Sequence, residues 1–252
     1  MRLVIADDHK DMSRLAAEIV IDAVRERPTS SILVATGNTP MGLYAELAAK
    51  QAAGDCDFSG VRAVQLDDYL GIASDDPRSL FGWMQRSFVE LLSIPDEQVM
   101  RMQSDAQDPD AACERYASAI REMGGIDIAI LGLGPNGHLG FNEPPSAADA
   151  PTRVIELTPE SLASNAPYWG EGQEVPRRAM TVGMDILLAA HLTILVVSGE
   201  VKQNILQQAL EGPVSSDLPA SWLRMGVNVV VVADRAAAGE LALVADATTQ
   251  AG

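Results

Sequence analysis

The chain has 252 residues, of which 18 are Lys or Arg and 35 are Asp or Glu, so its formal net charge is −17. This length fits one large α/β domain or two small ones, and we treat residues 1–252 as a single domain with a substantial core. Because nucleic acid and anionic membranes attract basic surfaces, the negative charge argues against extended binding to either.

The cysteines and the apolar runs of the sequence indicate the cellular compartment of the protein. The two cysteines, Cys56 and Cys113, neither form a disulfide framework nor match the spacing of a zinc site, and we expect buried or half-buried thiols. No apolar run approaches the roughly 20 residues of a membrane-spanning helix, and residues 1–12 lack the apolar segment of a signal peptide. The sequence therefore predicts a cytoplasmic protein.

Short apolar, β-branched runs alternate with longer stretches of helical periodicity. The predicted elements, in chain order, are a strand at 2–6, a helix at 11–26, a strand at 31–35, a helix at 40–53, a strand at 61–66, helices at 79–92 and 109–122, a strand at 126–131, a helix within 175–190, a strand at 192–197, a helix at 202–210 and a strand at 227–232. This alternation predicts a mostly parallel sheet with helices on both faces.

Residues 144–178 differ from the rest of the chain because they are rich in Pro, Ser, Ala and Gly. We expect a long irregular excursion there, either a lid over a site or a plain surface segment. Ligands of parallel sheets bind at the carboxyl ends of the strands, so the loops that follow the predicted strands are the candidate site.

Two of these loops suit an anion. Residues 36–40 (TGNTP) lead into a helix, where backbone N–H groups and the helix dipole favour negative charge, although Thr39 could simply cap the helix. Residues 198–202 (SGEVK) add a hydroxyl and Lys202, which could bind phosphate or merely be solvated.

A third loop carries two adjacent carboxylates, Asp67 and Asp68, directly after a buried strand. Burial and a like-charged neighbour raise the proton affinity of a carboxylate, as a general base requires. The alternative is one helix cap beside one solvated charge.

The fourth loop, residues 132–144 (GLGPNGHLGFNEP), is the most distinctive. Its glycines shape a tight turn, and Glu143 is close enough in sequence to orient the imidazole of His138 for acid–base chemistry. The other two histidines, His9 and His191, lie in ordinary contexts and are interpreted as structural.

The four loops in order, ATGNTPMGLY, QLDDYLG, LGLGPNGHLGFNEP and SGEVK, together with the later VSSDLPASWL, resemble the glucosamine-6-phosphate deaminase family over residues 2–235. The resemblance implies a three-layer, modified Rossmann-like α/β fold with a lid at about 144–178. It also implies a cofactor-free and metal-free reaction that converts glucosamine 6-phosphate and water to fructose 6-phosphate and ammonia. A small amino-sugar phosphate is then the partner, and the protein is a possible homo-oligomer.

The resemblance also implies roles for individual residues. Asp67 would move a proton from C2 to C1, His138 would assist ring opening, and Glu143 with Asn136 would support His138. The remaining positions carried over would bind substrate: Thr36, Gly37, Asn38, Thr39, Asp68, Gly132, Gly134, Ser198, Gly199 and Lys202.

Several positions depart from the family pattern. Asn38 replaces a common Gly, Asn136 replaces a common Asp, and Pro167 stands where many members carry a lid arginine that clamps the phosphate. Arg177 or Arg178 could substitute for that arginine. Three alternatives stay open: a galactosamine-6-phosphate deaminase, because that branch shares a stretch like PASWL; a 6-phosphogluconolactonase; and a non-catalytic sugar-phosphate sensor.

Overall fold

The computed structural model describes residues 1–73, 75–170 and 172–241. Its strands, in chain order, are β1 (Arg2–Ala6), β2 (Ser31–Val34), β3 (Arg62–Gln65), β4 (Asp67–Tyr69), β5 (Val99–Met100), β6 (Ile128–Gly132), β7 (Arg153–Glu156), β8 (Arg178–Thr181), β9 (Leu192–Val197) and β10 (Val229–Asp234). Within the described residues, seven of these strands form one parallel sheet in the order β1-β10-β9-β6-β2-β3-β5.

Helices cover both faces of this sheet. They are α1 (His9–Glu26), α2 (Asn38–Ala52), α3 (Leu80–Met84), α4 (Pro109–Glu122), α5 (Pro159–Trp169), α6 (Met184–Leu188), α7 (Gln203–Glu211) and α8 (Arg235–Ala238). Side chains alternate between the two faces of each strand, so the sheet contributes to two apolar cores, one on each face. In β2, Ile32 and Val34 pack in the core that includes α1 and α2, whereas Leu33 packs in the opposite core with α4 and α7. The sequences of the central parallel strands are nearly continuous apolar runs because both faces of these strands are buried.

A second, antiparallel sheet in the order β4-β8-β7 lies beside the first. It pairs Asp67 with Thr181 and packs Tyr69 and Trp169 into a third apolar cluster. This small sheet anchors the segment that the sequence analysis treated as irregular.

The α/β fold class and the parallel sheet are confirmed, but two predicted segments were wrong and a third, although helical, differs in its helix type. Residues 144–178 are not irregular, since they contain β7, α5 and the start of β8. The helix predicted within 175–190 is strand β8 followed by the short α6, because β8 pairs with β4 and Gly183 leaves no room for a side chain beside the Ala150 carbonyl. The helix predicted at 79–92 is α3 continued by a π-helical turn, Gln85–Val89.

The strand order changes direction between β2 and β6. From β2 the chain proceeds to β3 and β5 on one side, and from β6 it proceeds to β9 and β10 on the other. The loops that leave these two neighbours therefore diverge and open a crevice at their carboxyl ends, the usual place for a ligand. No helix within the described residues is long and apolar enough to cross a membrane.

Candidate active site

A cavity of about 380 Å³ opens at this crevice. Loops after β2, β3, β6 and β9 form its floor, and helices α3 and α5 form its opposite wall. The site residues proposed from sequence that line it are Thr36, Gly37, Asn38, Thr39, Asp67, Gly132, Gly134, His138 and Lys202.

Asp67 faces this cavity with a carboxylate that accepts no hydrogen bond from the described residues, although its residue is only 6% exposed. Desolvation by burial, with a smaller contribution from the charge of Asp68, raises the pKa of Asp67 to about 8. A carboxylate of raised proton affinity without a partner is suited to take a proton from a bound substrate.

Asp68 has a different environment, one residue along the strand. Its carboxylate accepts backbone N–H groups of Tyr69, Leu80 and Phe81 at 2.8, 3.0 and 3.2 Å and the amide of Gln65 at 2.8 Å. It thereby joins β4 to the start of α3, and it lies outside the residues that line the cavity. The structure thus places this predicted substrate ligand in a structural position.

His138 lies across the cavity with its Nδ1 atom 3.3 Å from Oε2 of Glu143 and 3.1 Å from Oγ of Ser161. Burial raises the pKa of Glu143, but the hydrogen bond and charge of His138, with bonds from Ser161 and Asn136, lower it to about 2. Glu143 is therefore an anion across the physiological range, and it orients the imidazole through Nδ1.

Asn136 acts through Glu143 and does not line the cavity. Its Nδ2 donates to Oε2 of Glu143 at 2.8 Å and to Oγ1 of Thr158 at 3.1 Å, while its Oδ1 accepts the N–H of His138 at 3.3 Å. Thr158 also donates to Glu143 at 3.1 Å and caps α5 by accepting the N–H of Ser161. No pattern in the sequence assigns Thr158 and Ser161 to the site, because only the docked helix α5 brings them to Glu143 and His138.

Two glycines shape the histidine loop. A Cβ atom at Gly134 would lie 2.2 Å from the His138 ring, so only glycine permits the ring to rest there. Gly137 has φ +81° and would press a Cβ against Leu218. Its carbonyl accepts the N–H of Ala220, so the PASWL stretch lies beneath the histidine loop and outside the cavity lining.

The start of α2 faces the cavity with an uncapped first turn. Its N-cap is Gly37, with φ +108°, and no side chain caps the first turn. Asn38 and Thr39, which line the cavity, lie inside that turn, so Thr39 is not the N-cap. Free N–H groups at the positive end of a helix favour a phosphate.

Lys202 is the one Lys or Arg among the described residues that line the cavity. Its Nζ donates to the carbonyl of Leu133 at 2.6 Å, and partial burial lowers its pKa. Ser198 and Gly199, in contrast, do not line the cavity. The Ser198 hydroxyl and the Gly199 N–H both donate to the carboxylate of Asp234, which also caps α8.

Residues 7–232 match the family model described as glucosamine-6-phosphate isomerases/6-phosphogluconolactonase. The chain belongs to this family. A glucosamine-6-phosphate deaminase of Cutibacterium acnes is 39% identical over 96% of this chain and 93% of its own length.

Solved structures of a deaminase and of a 6-phosphogluconolactonase are both similar to this chain, but to different degrees. A monomeric glucosamine-6-phosphate deaminase, described as a missing link of the NagB superfamily, has a TM-score of 0.92 at 34% identity, with 94% of this chain and 99% of that chain covered. A 6-phosphogluconolactonase from Trypanosoma brucei has a TM-score of 0.73 at 20% identity, with 95% and 98% covered, and shares the fold.

In this family member, helix α5 occupies the place of the predicted lid. Its Ser164, Asn165 and Tyr168 line the cavity, and none of them is cationic. Pro167 lies inside α5, and Arg177 and Arg178 are exposed and outside the cavity lining. The part of α5 that lines the cavity therefore contributes neutral side chains and no cation.

The burial of Asp67 has a measurable cost to stability. Below its ordinary pKa of 3.8, Asp67 is protonated in both the folded and the unfolded chain. Between pH 3.8 and about 8 folding must take up a proton, so stability is lost as the pH rises through this window. Asp67→Asn removes this cost, and its melting temperature should exceed that of the wild type by a margin that grows from pH 5 to pH 8 and then stays constant.

Differential scanning calorimetry at several pH values measures this margin. Asp68→Asn is the matched control, and it should lower the melting temperature because it replaces an acceptor of four hydrogen bonds. A margin for Asp67→Asn that does not change with pH would contradict the assignment.

Gly134→Ala should displace the His138 ring and reduce kcat by about 100-fold, the effect expected when a reacting group moves by about 1 Å. The comparison variant is Gly60→Ala, where an added Cβ would lie 2.8 Å from the Pro28 carbonyl, far along the chain from the histidine loop. It should lower stability and leave the kinetics of the folded enzyme intact. Equal kcat values for the two variants would count against a precise placement of His138.

Proposed function

We propose that this chain is a glucosamine-6-phosphate deaminase, which converts glucosamine 6-phosphate and water to fructose 6-phosphate and ammonia. The observation that carries the proposal is the joint placement of a base and an acid–base pair beside an anion site. Asp67 and His138 line one cavity together with the uncapped start of α2 and Lys202. The full-length similarity to curated deaminases supports the same activity.

The first step opens the pyranose ring. His138 takes the proton of the C1 hydroxyl and returns one to the ring oxygen as the C1–O bond breaks, which leaves the open-chain aldehyde. Glu143, held as an anion, supports the imidazolium that forms between these two transfers.

The second step is the isomerisation. Asp67 removes the proton from C2, the electron pair passes to the C1 carbonyl, and the C1 oxygen takes a proton from the 2-ammonium group of the substrate, which forms an enolamine. Return of the C2 proton from Asp67 to C1 gives the protonated 2-imine, so Asp67 ends the step as it began. Water then adds to C2 of this imine and the nitrogen leaves as ammonium, the protonated form of ammonia, which balances the atoms and the charge of the overall reaction.

The third requirement is a fixed substrate pose. We assign the phosphate to the first turn of α2 and to Lys202, which lie on the floor of the cavity. The donors at Ser198 and Gly199 are already bound to Asp234, so their part is to shape the turn before Lys202. Phosphate anchoring converts binding energy into alignment of C1 and C2 with the two catalytic groups.

All of the groups named lie on one chain, so a single copy suffices for this chemistry. No group of three or more His, Cys, Asp or Glu side chains suited to a metal ion occurs in residues 1–73, 75–170 and 172–241. We further infer a single catalytic domain that acts on a small amino-sugar phosphate in the cytoplasm, as expected of an enzyme related to bacterial metabolic proteins.

Release of ammonia from glucosamine 6-phosphate and galactosamine 6-phosphate, assayed side by side with detection of the ketose product, tests the activity. The wild type should release ammonia, with kcat/KM rising with pH as Asp67 ionises, up to about pH 8. Asp67→Asn should abolish deamination. If this variant keeps full activity, or if the wild type hydrolyses 6-phosphogluconolactone but releases no ammonia from either sugar, the proposal is wrong.

Lys202→Ala should raise KM for the amino-sugar phosphate about tenfold or more and change kcat little, because a phosphate contact contributes equally to the ground state and the transition state. Steady-state kinetics measure the two constants. Lys10→Ala is a control for loss of a lysine, since Lys10 is exposed on α1 and outside the cavity. An unchanged KM in Lys202→Ala would remove this lysine from the phosphate site.

A further inference from the structure

A second cavity, of about 330 Å³, lies behind the wall of the active site. The two cavities share Leu80 and the aromatic side chains of Trp83 and Tyr168, whose ring centroids are 5.0 Å apart in an edge-to-face contact. This aromatic pair therefore forms a partition, with Asp67 and His138 on one side and the second cavity on the other.

Aromatic rings dominate the walls of the second cavity. Besides the partition, Tyr69 and Trp169 line it, with their ring centroids 5.1 Å apart. Concave sites with several aromatic walls and a few fixed polar groups are typical of small-molecule binding. Flat rings stack on such walls.

Two arginines, Arg78 and Arg86, line the second cavity. They differ in whether a neighbouring carboxylate neutralises their positive charge. Arg78 is neutralised by Asp76, with Nη2–Oδ2 and Nε–Oδ1 distances of 2.7 and 2.9 Å, and its guanidinium lies 4.9 Å from the centre of the Trp169 ring. Arg86 forms no ion pair with the described residues, so no carboxylate among them occupies its guanidinium.

The backbone holds the Arg86 guanidinium in place. Its Nη2 donates to the carbonyl of Pro77 at 3.0 Å, and its Nη1 lies so close to Gly82 that an added Cβ would come within 3.1 Å. Arg86 lies on the π-helical turn, a rare conformation that is frequent at functional sites. An oriented guanidinium binds a phosphate with two parallel hydrogen bonds.

We propose that this second cavity is a binding site for a phosphate monoester that carries a flat ring, with the phosphate on Arg86 and the ring against the aromatic walls. A nucleoside monophosphate has this chemistry, whereas a hexose phosphate shares the phosphate but has no flat ring. A ligand here would hold Tyr168 of α5 against Trp83 of α3. Occupancy would therefore stabilise the wall of the active site and, given the proposed deaminase activity, tighten substrate binding.

Isothermal titration calorimetry on Lys202→Ala, which weakens the phosphate site of the active cavity, tests the binding. The probes are AMP, glucose 6-phosphate and inorganic phosphate. AMP should bind with a stoichiometry of one, and Arg86→Ala in the same background should weaken it about tenfold or more. Arg86→Lys should restore part of the affinity, and Arg115→Ala, which alters an exposed arginine of α4, should change nothing.

The probes distinguish the sources of the ligand. Binding of glucose 6-phosphate in place of AMP, with the same dependence on Arg86, supports the phosphate position on Arg86 and overturns the flat ring as the second recognition element. Inorganic phosphate that binds as tightly as AMP overturns the role of the aromatic walls. Absence of any binding that depends on Arg86 overturns the site.

A kinetic measurement tests the coupling separately. Saturating probe should lower KM for the amino-sugar phosphate in the wild type and leave it unchanged in Arg86→Ala. Unchanged KM in the wild type overturns the coupling. If the probe binds through Arg86 and the enzyme deaminates neither amino sugar, the proposed function fails while the second site stands.

Discussion

The divergence of the chain at the carboxyl ends of β2 and β6 is the constraint on which the site depends. These strands are neighbours in the parallel sheet, but the loop after β2 leads to one half of the sheet and the loop after β6 to the other. The gap between them is narrow enough to bring the start of α2 close to His138, and it is open enough to admit a ligand. Asp67, His138 and Lys202, to which the proposed function assigns roles, all line the cavity at this gap.

The adjacent carboxylates of β4, Asp67 and Asp68, lie in different surroundings. Side chains at consecutive positions of β4 point to opposite faces, so Asp67 faces the cavity and Asp68 faces the start of α3. Hydrogen bonds offset part of the burial of Asp68, although burial still raises its pKa, whereas the carboxylate of Asp67 accepts no hydrogen bond from the described residues and its pKa rises to about 8. The two neighbouring carboxylates therefore differ in their surroundings, and only Asp67 faces the cavity.

The net charge of −17 is compatible with an anionic substrate because the anion is small. Backbone N–H groups at the start of α2 and one half-buried lysine provide a local positive field, which falls off within the first turn of the helix. Under the proposed function Lys202 supplies the side-chain charge for the phosphate, since the residues of α5 that line the cavity are neutral. Arg86 provides a separate positive position behind the aromatic partition.

The sequence by itself determined the α/β class, most strands of the parallel sheet and the four loops, since apolar runs and glycine-rich turns are local signals. It placed Asp67, His138 and Lys202 in one site, and the structure brings their side chains to one cavity. Only the tertiary structure decided that residues 144–178 contain strand β7, helix α5 and the start of β8, because β8 pairs with β4, which lies far away in the chain. The same docking brought Thr158 and Ser161 to the histidine and turned Ser198 toward Asp234. Those contacts join residues more than 14 positions apart, and no local pattern in the sequence encodes them.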